Sequence, residues 1–322
     1  MTHYKEKNSG KKFASLLSNL KQTAFPKLNQ GHKVEINKVQ AEVGAIPKLI
    51  HQTFYTKALP VELQGNIEKI RSLNPDWTHK LYDDSDIIQF IEEYYDSHVL
   101  RYFLKIDRKY GAARADLFRY LLIYKIGGIY LDIKASAEIP LNTVLHADDS
   151  FILSQWNDSG QFKQWGTHYD LAHVDGGEFQ QWHIAAKPGH PFLKAVIESV
   201  LANIDRYNSS LHGTGKTGVI KLTGPVAYTA AIAPLLNLHP HRLLKDHREI
   251  GLLYSVYNDE SGERINEVHK TSFHSHYSGL THPIVIPTMK KRAFTHITGL
   301  INAIHTLTQK NNLPKNAKFD MD

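Results

Sequence analysis

From Ile46 onward, short apolar runs alternate with longer segments whose apolar residues return every three or four positions. The short runs predict strands and the longer segments helices. "IPKLIHQTFY" (46–55) is a strand candidate with Pro47 at its start, and "PVELQGNIEKIRSLN" follows as a helix through Val61, Leu63, Ile67 and Ile70. "NPDW" makes a turn into a second strand, "THKLYD", and "DDSDIIQFIEEYY" opens a helix on acidic N-cap candidates. The longest helical pattern is "GAARADLFRYLLIYKIGG", which Gly127-Gly128 ends before the strand "IYLDI". "FILSQW" and "HIAA" read as strands. "PFLKAVIESVLANI", with Pro191 in its first turn, "GPVAYTAAIAPLL" and "FTHITGLINAIHTL" read as helices. Strands alternating with helices predict an α/β fold with a mostly parallel central sheet.

Composition changes this picture little. The chain has 322 residues, 42% hydrophobic and 10% aromatic, enough to build a substantial core. With no cysteine it has neither disulfides nor a thiolate metal site. Charge changes it more. The net +6 resides in residues 1–40, where eight Lys face two Glu, so the remainder is neutral and nucleic acid is not an expected partner. Three regions follow: a basic extension over 1–44, a catalytic domain over 45–290, and a C-terminal helix and tail over 291–322. In the extension, Phe13, Leu16, Leu17, Leu20 and Ala24 share one helical face among lysines. Such a helix suits peripheral contact with an anionic membrane, and packing on its own domain is the equal alternative. No run of about 18 apolar residues predicts a membrane-spanning helix, and no compact apolar core marks a signal peptide. The expected location is cytoplasmic, at the inner membrane face if the helix binds there.

Candidate chemistry gathers in "ADLFRYLLIYKIGGIYLDIK" (115–134). Asp116 and Arg119 share one face of an otherwise apolar, aromatic helix, and a charged pair on a buried helix needs partners. The strand that follows delivers Asp132 to its carboxyl end, where ligands of α/β sheets collect. Two positions on stands Lys134. Asp-x-Asp at a strand end holds a divalent metal against a diphosphate. Asp-x-Lys leaves three readings: a metal site short of one ligand, a site that supplies its own cation, or a plain strand end.

This segment resembles the DXD-motif sugar transferases of glycosyltransferase family 32, which are related to the catalytic domains of large glucosylating toxins. "IPKLIHQTF", "NPDWTHKLYDDSD", "IAAKPGHPFL", "TGPVAYT" and "HSHYSGL" match further family blocks in order, from about Ile46 to Leu280. The resemblance implies a GT-A type, Rossmann-like fold and retaining transfer of a hexose from a nucleotide sugar to a glycan or lipid-linked acceptor, in surface polysaccharide or glycolipid synthesis. It implies that His51, Gln52, Thr53 and Phe54 flank the nucleotide base, with Phe54 where the family usually has Trp. Asp116 and Arg119 match an Asp-x-x-Arg that contacts ribose and sugar, and Tyr130 joins the donor site. Asp132 matches the first DXD carboxylate, Lys134 replaces the second, and His276 and Ser278 match a loop that closes on the diphosphate. Asp132, Lys134 and His276 are thus the catalytic candidates. Asp132 and His276 are the candidate ligands of a Mn²⁺ or Mg²⁺ cofactor, which the lysine calls into question. A degenerate member that binds nucleotide sugar or glycan without transfer is the rival reading.

Three further features remain. Trp156, Trp165 and Trp182 lie in a glutamine-rich stretch; as a group they suit sugar rings, and Trp156, Gln181 and Trp182 are the acceptor candidates, although each Trp alone fits a core position better. "HGTGKTG" falls short of a phosphate-binding P-loop because Ser210 stands where its first Gly belongs, and it reads as a loop. His274, His276 and His282 lack the i, i+4 spacing of zinc hydrolases, and "HPHRLLKDH" (239–247) reads as surface.

Overall fold

The computed structural model describes residues 27–31, 33–40, 44–156, 162–257 and 277–286. The amphipathic helix expected around Phe13–Ala24, the helix expected at 294–307, and His276 lie outside these residues.

The chain runs β1 (Leu49–Thr53), α1 (Val61–Leu73), β2 (Thr78–Tyr82), α2 (Asp84–Tyr94), α3 (Ser97–Lys105), α4 (Gly111–Ile126), β3 (Gly128–Leu131), β4 (Ser136–Ala137), β5 (Phe151–Ser154), β6 (His183–Ala186), α5 (Pro191–Arg206), α6 (Ser209–His212), α7 (Gly215–Leu222), α8 (Pro225–Ile232), β7 (Arg242–Leu244) and β8 (Leu252–Leu253). Six strands form one sheet in the order β2-β1-β3-β6-β5-β7, and β4 pairs with β8 in a small antiparallel ladder. Strand β6 is antiparallel to both β3 and β5, while β1–β2, β1–β3 and β5–β7 are parallel. The sheet is therefore mostly parallel, as expected.

Period-2 alternation assigns the side chains to two layers. Tyr130, Phe151, Leu153, Ile184 and Ala186 face a core shared with α2, α4, α5 and α8. Ile50, Ile129, Leu131, Ile152 and Ala185 face the opposite core with Ile70 and Trp77. Because both faces are covered, β3 reads as unbroken apolar sequence rather than alternating. Helix α4 is buried all round for the same reason, from Ala113 to Tyr124 except at Ala115. The acidic start of α2 works as a capping box: Asp83 accepts from the Ser85 and Asp86 amides, and Asp86 accepts from the Asp83 amide.

Three expectations change. "HGTGKTG" (212–218), read as a loop, instead runs into α7 from Gly215, and α7 packs beside α8. Residues 215–238 are also long and apolar enough to cross a membrane by length and composition, which the sequence reading missed. Here they break at Thr223-Gly224, and Leu222, Ala227, Tyr228 and Ile232 are core residues. The "surface" stretch 239–247 contributes the edge strand β7, and Leu244, Asp246 and His247 are buried. The described part of the N-terminal extension docks on the main body: the Asn29 amide donates to Asn203 Oδ1, the Ile36 amide to Glu198 Oε1, and the Val39 amide to Tyr124 Oη.

The turn from α4 into β3 depends on Gly127 and Gly128. Their φ angles are +69° and +95°, a region that side chains disfavour. A Cβ on Gly128 would stand 2.7 Å from the Leu49 carbonyl oxygen. Gly128→Ala should therefore destabilise the protein by at least ~1 kcal/mol, read as a lowered urea midpoint at unchanged m-value. An unchanged midpoint would show that the turn relaxes freely.

Candidate functional site

Strands β1 and β3 run side by side and parallel, so Thr53-Phe54 and Asp132 emerge at the same end of the sheet. The turn Asp132–Ala135 is tied down there. The Asp132 amide donates to the Trp182 carbonyl (2.8 Å), and the Ala135 amide to the Asp132 carbonyl (2.8 Å). Over this end lies a cleft of about 350 Å³. Its lining includes Thr53, Phe54, Arg119, Tyr130, Asp132 and Lys134 from the sequence-predicted set.

Arg119 is the centre of the site. Its Nη2 lies 3.1 Å from Asp116 Oδ1 and 3.0 Å from Asp132 Oδ1. Nη1 donates to the Gln181 carbonyl (2.7 Å), Nε to the Ala115 carbonyl (3.3 Å), and the guanidinium lies 4.6 Å over the Tyr130 ring. Burial opposes its charge, but Asp132, Tyr130 and Asp116 more than compensate and hold Arg119 protonated above its usual value. Asp116 is buried, and burial pushes its carboxyl above the ordinary range against Arg119, Thr223 and Gln181. Thr223 Oγ1 donates to Asp116 Oδ2 (2.8 Å) and Gln181 Nε2 to Asp116 Oδ1 (3.1 Å). Asp132 is the open member, its side chain 27% exposed against 4% for Asp116.

Some expected contacts are instead supports. His51 and Gln52 are fully buried beneath the strand end and do not line the cleft. Gln52 donates to the Asp132 carbonyl (3.2 Å) and accepts from His79 Nε2 (2.8 Å). His51 Nε2 faces the Gly127 carbonyl (3.2 Å) and Nδ1 the Tyr82 hydroxyl (3.1 Å), so the proton sits on Nε2. Thr53 Oγ1 pairs with the Tyr130 hydroxyl at 2.9 Å. Phe54 lines the cleft but is 94% buried, and Tyr55 beside it, 46% exposed, presents more ring surface.

The acceptor candidates move as well. Trp156 and Trp182 are buried and face Tyr254 and His247 with ring centroids 5.0–5.9 Å apart, so neither offers a face to a ligand. Gln181 supports Asp116 and accepts from the Tyr120 hydroxyl (3.1 Å). Trp165 is the partly exposed member at 43%. Lys134 lines the cleft with its Nζ 4.6 Å over the Tyr254 ring and 3.4 Å from the Tyr254 hydroxyl. Ser278 lies in the turn Tyr277–Gly279, and its neighbour Tyr277 is the member of that turn that lines the cleft. Sequence reading also missed Asp84, Arg108, Lys109 and Arg114, which line the same cleft; the basic pair just ahead of α4 was the available signal.

Among the described residues, Asp132 belongs to no group of three His or carboxylate ligands. With an ammonium at 134 and Arg119 on Asp132, the described donor set does not fit a divalent cation. The group His146, Asp148 and Asp149 does bring ligand atoms within 4.8 Å of one another. However, it precedes β5, whose first residue pairs with the end of β6, so it lies at the opposite end of the sheet from Asp132. Asp149 there accepts from Arg242 at 2.6 Å.

Residues 60–151 match the family described as "glycosyltransferase sugar-binding region containing DXD motif". Those residues are similar to the DXD-motif glycosyltransferases. The matched stretch contains Asp116, Arg119, Tyr130, Asp132 and Lys134. The chain is similar to inositol phosphoceramide mannosyltransferase 3 of Schizosaccharomyces pombe, with 29% identity over 182 residues, 56% of this chain and 43% of that protein. It is also similar to a mannosyl phosphorylinositol ceramide synthase of Saccharomyces cerevisiae, with 34% identity over 102 residues, 31% of this chain and 25% of that protein. It thus spans less than half the length of these relatives. Among solved structures, the PaToxG glycosyltransferase aligns with a TM-score of 0.43 at 17% identity, covering 73% of this chain and 79% of that one.

Burial pushes the His51 and His183 imidazoles down to about 3. Between that value and the ordinary 6.5, the unfolded chain holds more protons than the folded one. Stability is therefore full above about pH 6.5 and falls as pH drops below it, by up to ~1.4 kcal/mol per pH unit for each such histidine. Urea midpoints measured from pH 7.5 to pH 5 should decline steadily, whereas a flat profile would mean that these rings are solvated.

Proposed function

We propose that this protein is a nucleotide-sugar-dependent glycosyltransferase that moves a hexose, with retention, to a glycan or lipid-linked hydroxyl. The observation that carries the reading is that Arg119 and Asp132 of the family motif converge on one cleft, with Asp116 buried behind them and Lys134 beside them. The donor lies in this cleft. Asp132 and Arg119 offer an acceptor and a delocalised cation to the sugar hydroxyls, and Tyr55 and Phe54 offer ring surface to the base. In the reaction the C1–O bond to the diphosphate breaks and the nucleoside diphosphate leaves with the electron pair. The acceptor oxygen bonds to C1, and its proton passes to the departing phosphate oxygen.

The leaving diphosphate gains negative charge, which a fixed cation stabilises. Lys134 stands two residues from Asp132 and on the cleft wall, so it supplies charge at the position where a second carboxylate would recruit a metal. Its ammonium is held by the Tyr254 ring in the resting state and swings to the phosphate when the donor binds.

Incubation with a panel of nucleotide sugars in EDTA tests the reading. One donor should be hydrolysed slowly to free sugar and nucleoside diphosphate, and Lys134→Ala should lower that rate ~100-fold. Binding of a donor with no turnover on any acceptor would favour a binding protein, for which the Asp-x-Lys departure is the specific support. Full activity in Lys134→Ala with strict Mn²⁺ dependence would refute the role given to the lysine.

A further inference from the structure

The same cleft extends along α4 to the N-terminus of that helix. Arg119 and Gly111 are eight residues apart on α4, which puts the two ends about 12 Å apart at ~1.5 Å per residue. The far end is cationic. Arg108, Lys109 and Arg114 line it, with Asp84 the acidic side chain among the lining residues there. The helix start has no side-chain cap: its N-cap residue is Tyr110, and a Cβ on Gly111 would meet nothing within 4 Å. An uncapped helix start leaves backbone N–H groups pointing outward, with the positive end of the helix dipole behind them.

Arg114 supplies an independent observation. It is 95% buried, and its Nε has no hydrogen-bond partner. Its nearest carboxylate is Asp84, 3.9 Å away and beyond hydrogen-bond reach, on a side chain 61% exposed. The guanidinium lies 4.4 Å over the Phe103 ring, which orients it without neutralising it. Burial lowers its pKa below the usual arginine value. A buried cation so poorly matched on a cleft wall calls for an anion. Asp107, at the same turn, does not fill that role: it accepts from the Lys109 amide (2.9 Å) and faces His282 (3.6 Å).

We propose that the N-terminus of α4, with Arg108, Lys109 and Arg114, is a second anion subsite that takes a phosphate group in addition to the donor's diphosphate. That it is a second anion rests on the donor reading above; that a phosphate binds there does not. The phosphate is either carried by the acceptor or free in solution.

Calorimetric titration of the full chain tests this with inorganic phosphate and with glycerophosphoinositol, a soluble phosphodiester, each with and without saturating UDP or GDP. One equivalent should bind in the presence of either nucleotide. The exposed double variant Arg108→Glu/Lys109→Glu should weaken it at least tenfold. Arg114→Gln should weaken it likewise if near-UV circular dichroism shows it folded, and the exposed pair decides if it is not. Tighter binding of the phosphodiester assigns the group to the acceptor, and tighter binding of inorganic phosphate assigns it to a free ion. Affinity unchanged in the double variant would overturn the subsite. Exclusion of phosphate by a bound nucleotide would overturn its being a second anion while leaving the donor reading intact. If neither UDP nor GDP binds but phosphate does, the donor reading fails and the anion site stands.

Discussion

One buried cation organises the site. Arg119 sits inside an apolar helix, where an isolated charge would cost several kcal/mol. It is tolerated because carboxylates flank it on two sides and two backbone carbonyls take further donors. Those partners come from α4, the end of β3 and the residue leading into β6. The Asp116 that Arg119 grips is held in turn by Thr223, at the end of α7. A single guanidinium thereby locks four separate pieces of chain in register around the sheet end. Its fork geometry matters more than its charge, since several acceptors in different directions must be met at once.

The layer beneath serves the same end. Gln52 fixes the backbone at Asp132, and His51 fixes the carbonyl of Gly127, where α4 turns into β3. These residues give the cleft its shape without touching its contents. The cleft wall itself is unusually basic for a neutral domain: Arg108, Lys109, Arg114, Arg119 and Lys134 face Asp84 and Asp132. That imbalance suits a ligand with several negative charges and makes Lys134 part of a pattern rather than an isolated departure from the motif.

Much of the fold was legible because local pattern and final environment agree. Strand β3 is apolar on both faces and lies between two covered layers. Helix α2 begins at its acidic cap, and Gly127-Gly128 end α4 where expected. Of the site, the Asp116–Arg119–Asp132 cluster was legible because a charged pair on an apolar helix demands partners. What failed depends on distant residues. Trp156 and Trp182 looked like cleft residues in a polar stretch, but His247 and Tyr254 arrive from elsewhere in the chain and pack against them. His51 and Gln52 sit at a strand end, where one residue decides between cleft and core. Helix α7 carries glycines that suit a loop, and Gly218 packs close to Ile284, from a segment more than sixty residues on. Arg114 was hidden in a helix start where its burial had no local sign.

The most direct measurement is donor binding by Arg119→Lys, compared with the wild type by calorimetry after near-UV circular dichroism has shown the variant folded. A lysine keeps the charge but cannot meet Asp116, Asp132 and two carbonyls together. The nucleotide sugar that the wild type hydrolyses should bind at least tenfold more weakly. Wild-type affinity in a folded Arg119→Lys would contradict the central place given to this guanidinium.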